Sequence, residues 1–89
     1  MDETEARLVR CFQVNFPGLN EQNVHQASTA SVDTWDSVAM VTLINVVEEE
    51  FDIQIGLEDV EQMVSFDQFL GYLRAREAAL KSTSGNSGA

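Results

Sequence analysis

Few residues in this 89-residue chain have the chemistry to act on another molecule, and most of them lead nowhere. His25 is the only histidine and Cys11 the only cysteine. A serine nucleophile needs a base and an oxyanion hole close by. The sequence holds no Gly-x-Ser-x-Gly elbow, so His25 is expected as an exposed or internally satisfied loop residue. One histidine and one cysteine build neither a transition-metal cluster nor an internal disulfide. An EF-hand starting at Asp33 or Asp52 requires Gly at its sixth position and Glu at its twelfth. Those positions hold Val38 and Ile44 in one register, and Leu57 and Met63 in the other. The calcium reading fails, and no catalytic or metal-binding residue is expected.

Ser37, in the stretch Trp35-Asp36-Ser37-Val38, is different. Asp36 is well placed as the N-cap of a helix, where its side chain satisfies a free backbone N–H. That role explains Asp36 but not Ser37, whose hydroxyl should point outward from the first turn. There the helix dipole and the free N–H groups favour a negative group such as an attached phosphate.

The elements that position this serine follow from periodicity. Residues 2 to 16 form a first helix, with capping-box spacing between Asp2 and Glu5 and an apolar side of Leu8, Val9, Phe12 and Phe16. Pro17-Gly18 stops it. Residues 19 to 35 form a long polar connection anchored by Val24 and Val32, and ordered loops of this length often serve function. The second helix runs from Asp36 or Ser37 to about Glu50, with Met40, Leu43, Ile44, Val47 and Phe51 as its core stripe. Residues 57 to 63 suggest a short third helix after Gly56. Ser65 and Gln68 cap a fourth, whose buried side is Phe66, Phe69, Leu70, Leu73 and Leu80. The expected domain spans residues 1–81, and residues 82–89, STSGNSGA, have nothing to bury and are expected to be disordered. The fold class is all-α: a four-helix bundle with three main helices, a short third helix and a long first loop.

Composition narrows the partners. Fifteen Asp and Glu against five Lys and Arg give a net charge of −10. Such a surface repels nucleic acid and anionic membranes and is steered towards basic protein surfaces. The opening MDETEARLVR lacks the basic segment and apolar stretch of a signal peptide, and no run is long enough to cross a bilayer. The expected setting is intracellular, in the cytoplasm. A chain of this size has little room for a deep substrate cleft of its own, which counts against a self-contained enzyme. Val38 and Val41 fall off the core stripe on the same side as Ser37, and Glu48-Glu49-Glu50 crowd the far end of that helix. Val38, Val41 and Glu48 are therefore candidate partner contacts.

The segment DSVAMVTLINVVEEEFDIQI closely resembles the second helix of acyl carrier proteins and related phosphopantetheine-binding carrier domains. Asp36-Ser37-Val38 matches the Asp-Ser-Leu motif with Val for Leu, and Glu48-Glu49-Glu50-Phe51-Asp52-Ile53 falls at the family's downstream spacing. The likeness extends to about residue 80. It implies a 4′-phosphopantetheine arm on Ser37, donated by coenzyme A through a phosphopantetheinyl transferase that uses Mg²⁺ in its own site. It further implies acyl cargo held as a thioester and presented to acyl-loading and acyl-processing enzymes, with monomer as the default state. Ala39 and Thr42 stand where typical fatty-acid carriers are acidic, and Trp35 resembles stand-alone carriers of specialised lipid, polyketide or secondary-metabolite pathways. The plainer reading of Trp35 is a large loop residue covering one end of the bundle. An aminoacyl or D-alanyl carrier, or an unmodified interaction module with the same fold, stays open at this point.

Overall fold

The computed structural model describes the backbone of residues 2–87 and side chains as far as residue 79. Its elements are α1 (Glu3–Asn15), a 3₁₀ turn (Val24–Gln26), α2 (Ser37–Phe51), α3 (Leu57–Val60) and α4 (Phe66–Ser87). This is the expected all-α bundle of three main helices and one short one. The expected burial of Leu80 lies outside the described side chains; of the tail expected to be disordered, residues 82–87 are described as the end of α4, and 88–89 lie outside the described residues.

Helix starts follow their capping residues. The Asp2 carboxylate accepts the Glu5 N–H at 2.8 Å. That bond, reinforced by the Arg74 guanidinium, holds the Asp2 carboxyl below its ordinary pKa. Only half of the expected capping box forms, because the Glu5 carboxylate is taken by Arg74 at 3.1 Å and by His25 Nε2 at 2.8 Å. At α4, the Ser65 hydroxyl accepts the Gln68 N–H at 3.2 Å. The Gln68 side chain then accepts the Val64 N–H at 3.1 Å, one residue earlier than an ideal capping box.

Phe12, Phe66 and Phe69 are fully buried, each worth about 1.5–3 kcal/mol of apolar burial. Their rings meet edge-on, with centroids 5.1 Å apart for Phe12–Phe66 and 5.4 Å for Phe12–Phe69. This is the tilted geometry that aromatic quadrupoles favour. Leu8, Leu43, Val47 and Met63 complete the centre. Met40 and Phe51, expected on the core stripe of α2, lie at its ends and are half-buried. The third helix is shorter than expected, Leu57–Val60 rather than 57 to 63. Met63 reaches the core from the turn that follows it.

The long first loop is ordered by its own polar side chains. The Asn20 side chain accepts the N–H groups of Gln22 and Asn23 at 2.8 and 2.9 Å, and Asn23 returns a bond to the Asn20 N–H at 2.8 Å. Val24 is fully buried as expected, whereas Val32 packs against the core only in part. A single antiparallel bridge ties Ser28 to Ser65. Thr29 donates to the Val64 carbonyl at 2.9 Å and Phe66 to the Ala27 carbonyl at 3.0 Å, so the loop is clipped to the start of α4. This clip and the 3₁₀ turn have no periodic signature in the sequence.

Candidate functional site at the start of the second helix

Three residues before α2 fix where Ser37 stands. Trp35 is 4% exposed, and its indole packs among Phe12, Phe16 and Phe69. The centroid distances are 5.5, 5.5 and 6.2 Å respectively. The plainer expectation for Trp35, a large residue covering the bundle end, describes this packing. Asp36 follows in an extended conformation and caps the helix: its carboxylate accepts the Ala39 N–H at 2.9 Å and its carbonyl the Met40 N–H at 2.8 Å. From α1, Asn15 Nδ2 donates to the Ala39 carbonyl at 3.1 Å and clamps the first turn of α2 against the neighbouring helix. Nothing in the sequence marks Asn15 for this role; only the packing of the two helices brings it there.

Ser37 is exposed at the mouth of α2. The N–H groups of Ser37 and Val38 belong to the first turn and have no intrahelical acceptor. No acidic residue lies within that first turn. Thr29, Trp35, Asp36, Ser37 and Met40 line a shallow open groove of about 360 Å³ beside the hydroxyl. A hydroxyl held this way is fit to carry a phosphodiester. Its negative charge would face two unpaired donors and the positive end of the helix dipole.

Down the same helix, Val38 and Val41 are 75% and 61% exposed, off the core side as expected. Thr42 turns its hydroxyl back to the Val38 carbonyl at 3.2 Å. Glu48 is placed differently from its candidate partners. It is half-buried, and its carboxylate accepts the Ile55 N–H at 2.8 Å, bracing the turn between α2 and α3. Glu50 pairs with Arg7 Nε at 2.7 Å, which raises the guanidinium pKa further above its ordinary value.

The other candidate groups stand apart from Ser37. The ring of His25 packs edge-on against Phe66 at 4.9 Å, with Nε2 engaged by Glu5, the satisfied loop histidine that was expected. Cys11 is buried on α1, and desolvation pushes its thiol pKa up to about 11, as an inert core thiol requires. Among the described residues no three His, Cys, Asp or Glu side chains are grouped to hold a metal ion. No helix among them is long and apolar enough to cross a membrane.

The sequence is 32% identical over 73 residues to an acyl carrier protein of Desulforapulum autotrophicum, a match covering 81% of this chain and 95% of that protein. The chain belongs to the acyl carrier protein family. No protein-family model matches it. As an acyl carrier protein it is a carrier that serves partner enzymes rather than an enzyme itself.

Proposed function

We propose that Ser37 carries a 4′-phosphopantetheine arm and that acyl intermediates ride on it as thioesters. The observation behind this reading is the exposed Ser37 hydroxyl, set beside an aspartate N-cap and two N–H groups without intrahelical acceptors. In the attachment step, the Ser37 oxygen forms a bond to the phosphorus that bears the pantetheine of coenzyme A. The pyrophosphate P–O bond breaks, adenosine 3′,5′-bisphosphate leaves, and the hydroxyl proton passes to a base of the transferase. The arm supplies a terminal thiol for the thioester. Everything else asked of this chain is positional: Asp36 and Asn15 hold the first turn, Trp35 anchors the entry, and the helix N-terminus favours the phosphodiester charge.

The partners of this reading are a phosphopantetheinyl transferase and acyl-loading and acyl-processing enzymes with basic surfaces, working with a monomeric carrier in the cytoplasm. Val38 and Val41 offer them an apolar strip beside the serine. Glu48 holds the α2–α3 turn, so its part in docking is indirect. A neutral, apolar first half of α2 favours a dedicated enzyme set in a specialised pathway over the housekeeping fatty-acid enzymes.

Intact-protein mass before and after incubation with coenzyme A, Mg²⁺ and a broad-specificity phosphopantetheinyl transferase tests the attachment. The expected result is a gain of one phosphopantetheinyl group in the wild type and none in Ser37→Ala. Because the hydroxyl is exposed, that variant should keep its helical CD spectrum and lose less than about 0.5 kcal/mol of stability. No gain with several transferases would leave an interaction module with a carrier fold.

A further inference from the structure

The indole N–H of Trp35 is the one buried side-chain nitrogen or oxygen among the described residues that has no hydrogen-bond partner. Around it stand the rings of Phe12, Phe16 and Phe69, which offer no lone pair in the plane of the indole. A donor sealed in this way is costly compared with a phenylalanine filling the same space. Trp35 also stands two residues from Ser37 and lines the groove that the serine borders, together with Thr29 and Met40. Met40 is half-buried and unbranched, a side chain that re-packs easily. Trp35, whose buried N–H lacks a partner, is thus also a lining residue of the groove that Ser37 borders.

We propose that Trp35 Nε1–H is a binding donor for a carbonyl oxygen delivered on the Ser37-borne group, and that it draws that group into the groove. The inference rests on the proposed attachment at Ser37. Two sources supply such an oxygen: the amide carbonyls of the arm itself, or a keto group on the acyl cargo. Beyond the thioester carbonyl that both acyl forms share, a saturated chain adds no acceptor, so in the second case Trp35 distinguishes β-oxo cargo from saturated cargo of equal length. A donor-only indole selects an acceptor and gives no advantage to a group that presents only N–H.

Because Trp35 is the only tryptophan, its indole gives a single signal in a ¹H–¹⁵N spectrum. The spectrum is recorded for the unmodified protein, the arm-bearing protein, and the octanoyl and β-oxo-octanoyl forms, each with its loading checked by mass. A downfield shift of the indole proton, with water exchange slowed about 2–10-fold, is expected. Its appearance on adding the arm alone assigns the acceptor to the arm. Its appearance only with the β-oxo chain assigns it to the cargo. An indole signal that stays unchanged through all fully loaded forms overturns the inference and leaves the attachment intact. The same holds if the signal already exchanges with bound water in the unmodified protein and continues to do so when loaded. Absence of any mass gain overturns both. In Trp35→Phe, which keeps an aromatic ring at the site, the ordering of arm signals seen in the wild type should vanish. If that variant unfolds, the wild-type spectra still decide.

Discussion

At the start of α2, the Ser37 and Val38 N–H groups have no intrahelical acceptor, while Asp36 and Asn15 hold the turn through hydrogen bonds to the Ala39 N–H and carbonyl. At its end, three successive carboxylates, Glu48, Glu49 and Glu50, crowd the carbonyl terminus, where the dipole opposes them. There the structure absorbs part of the conflict. Glu48 accepts from Ile55, Glu50 pairs with Arg7, and Asp52 takes a left-handed conformation with φ 53° to close the helix. The first end is rigid with binding capacity left over. At the second, Glu48 is turned inward to hold a corner, while Glu49 and Glu50 stay exposed. Acidic residues near a site are thus poor guides to docking until their hydrogen bonds are traced.

The aromatic floor offers the largest test of this contrast. Phe12 is fully buried and touches Trp35, Phe16, Phe66 and Phe69, whereas Phe51, at the other end of α2, is half-buried beneath Arg7 at 4.6 Å. Phe12→Ala should cost about 3–5 kcal/mol, a large share of what a domain this small possesses. Phe51→Ala should cost about 1–2 kcal/mol. Urea denaturation followed by CD measures both. Equal losses would mean that the two ends are equally built into the core.

Single polar groups come next. Asp36→Ala removes a cap and a favourable charge, and should lower stability by about 1 kcal/mol. Glu48→Ala strands the Ile55 N–H at a cost of about 1–3 kcal/mol, but it also relieves a dipole conflict of about 0.3–1 kcal/mol. Neutralisation without loss of shape separates these terms. Asp36→Asn should destabilise slightly, whereas Glu48→Gln should be neutral or stabilising in the same thermal melt. A loss in both would remove the claimed asymmetry of the two helix ends.

Much of this layout was legible in the sequence. The four helices, the cap at Asp36, the exposed side of Val38 and Val41, and the buried Cys11 follow from apolar period and cap chemistry, which act over a few residues. The bridge of Ser28 to Ser65, the clamp from Asn15 and the turn of Glu48 onto Ile55 join partners that periodicity does not relate. Trp35 shows the limit most clearly. Its apolar bulk predicted a covering role, but only the packed rings around it reveal that its N–H lacks a partner. Helix α3 ends at Val60, short of the expected 63, and Met63 contributes to the core from the turn that follows.

The smallest effect should come from Glu50→Gln. The Arg7–Glu50 pair is about a third exposed on each side, at 32% and 38%, and such pairs contribute about 0–1 kcal/mol. Losing that attraction is opposed by relief of the dipole conflict at the C-terminal end of α2, worth about 0.3–1 kcal/mol. The two terms have opposite signs and similar size, so the net change in the unfolding midpoint should be close to zero. Arg7→Met should cost more than Glu50→Gln, because it also removes the cation from the face of Phe51, a contact of about 0.5–1 kcal/mol at an exposed site. A double-mutant cycle on the two positions measures the pair directly. A coupling well above 1 kcal/mol would show that the far end of α2 depends on its ion pair as much as on its packing, and would draw the two ends of the helix closer in design.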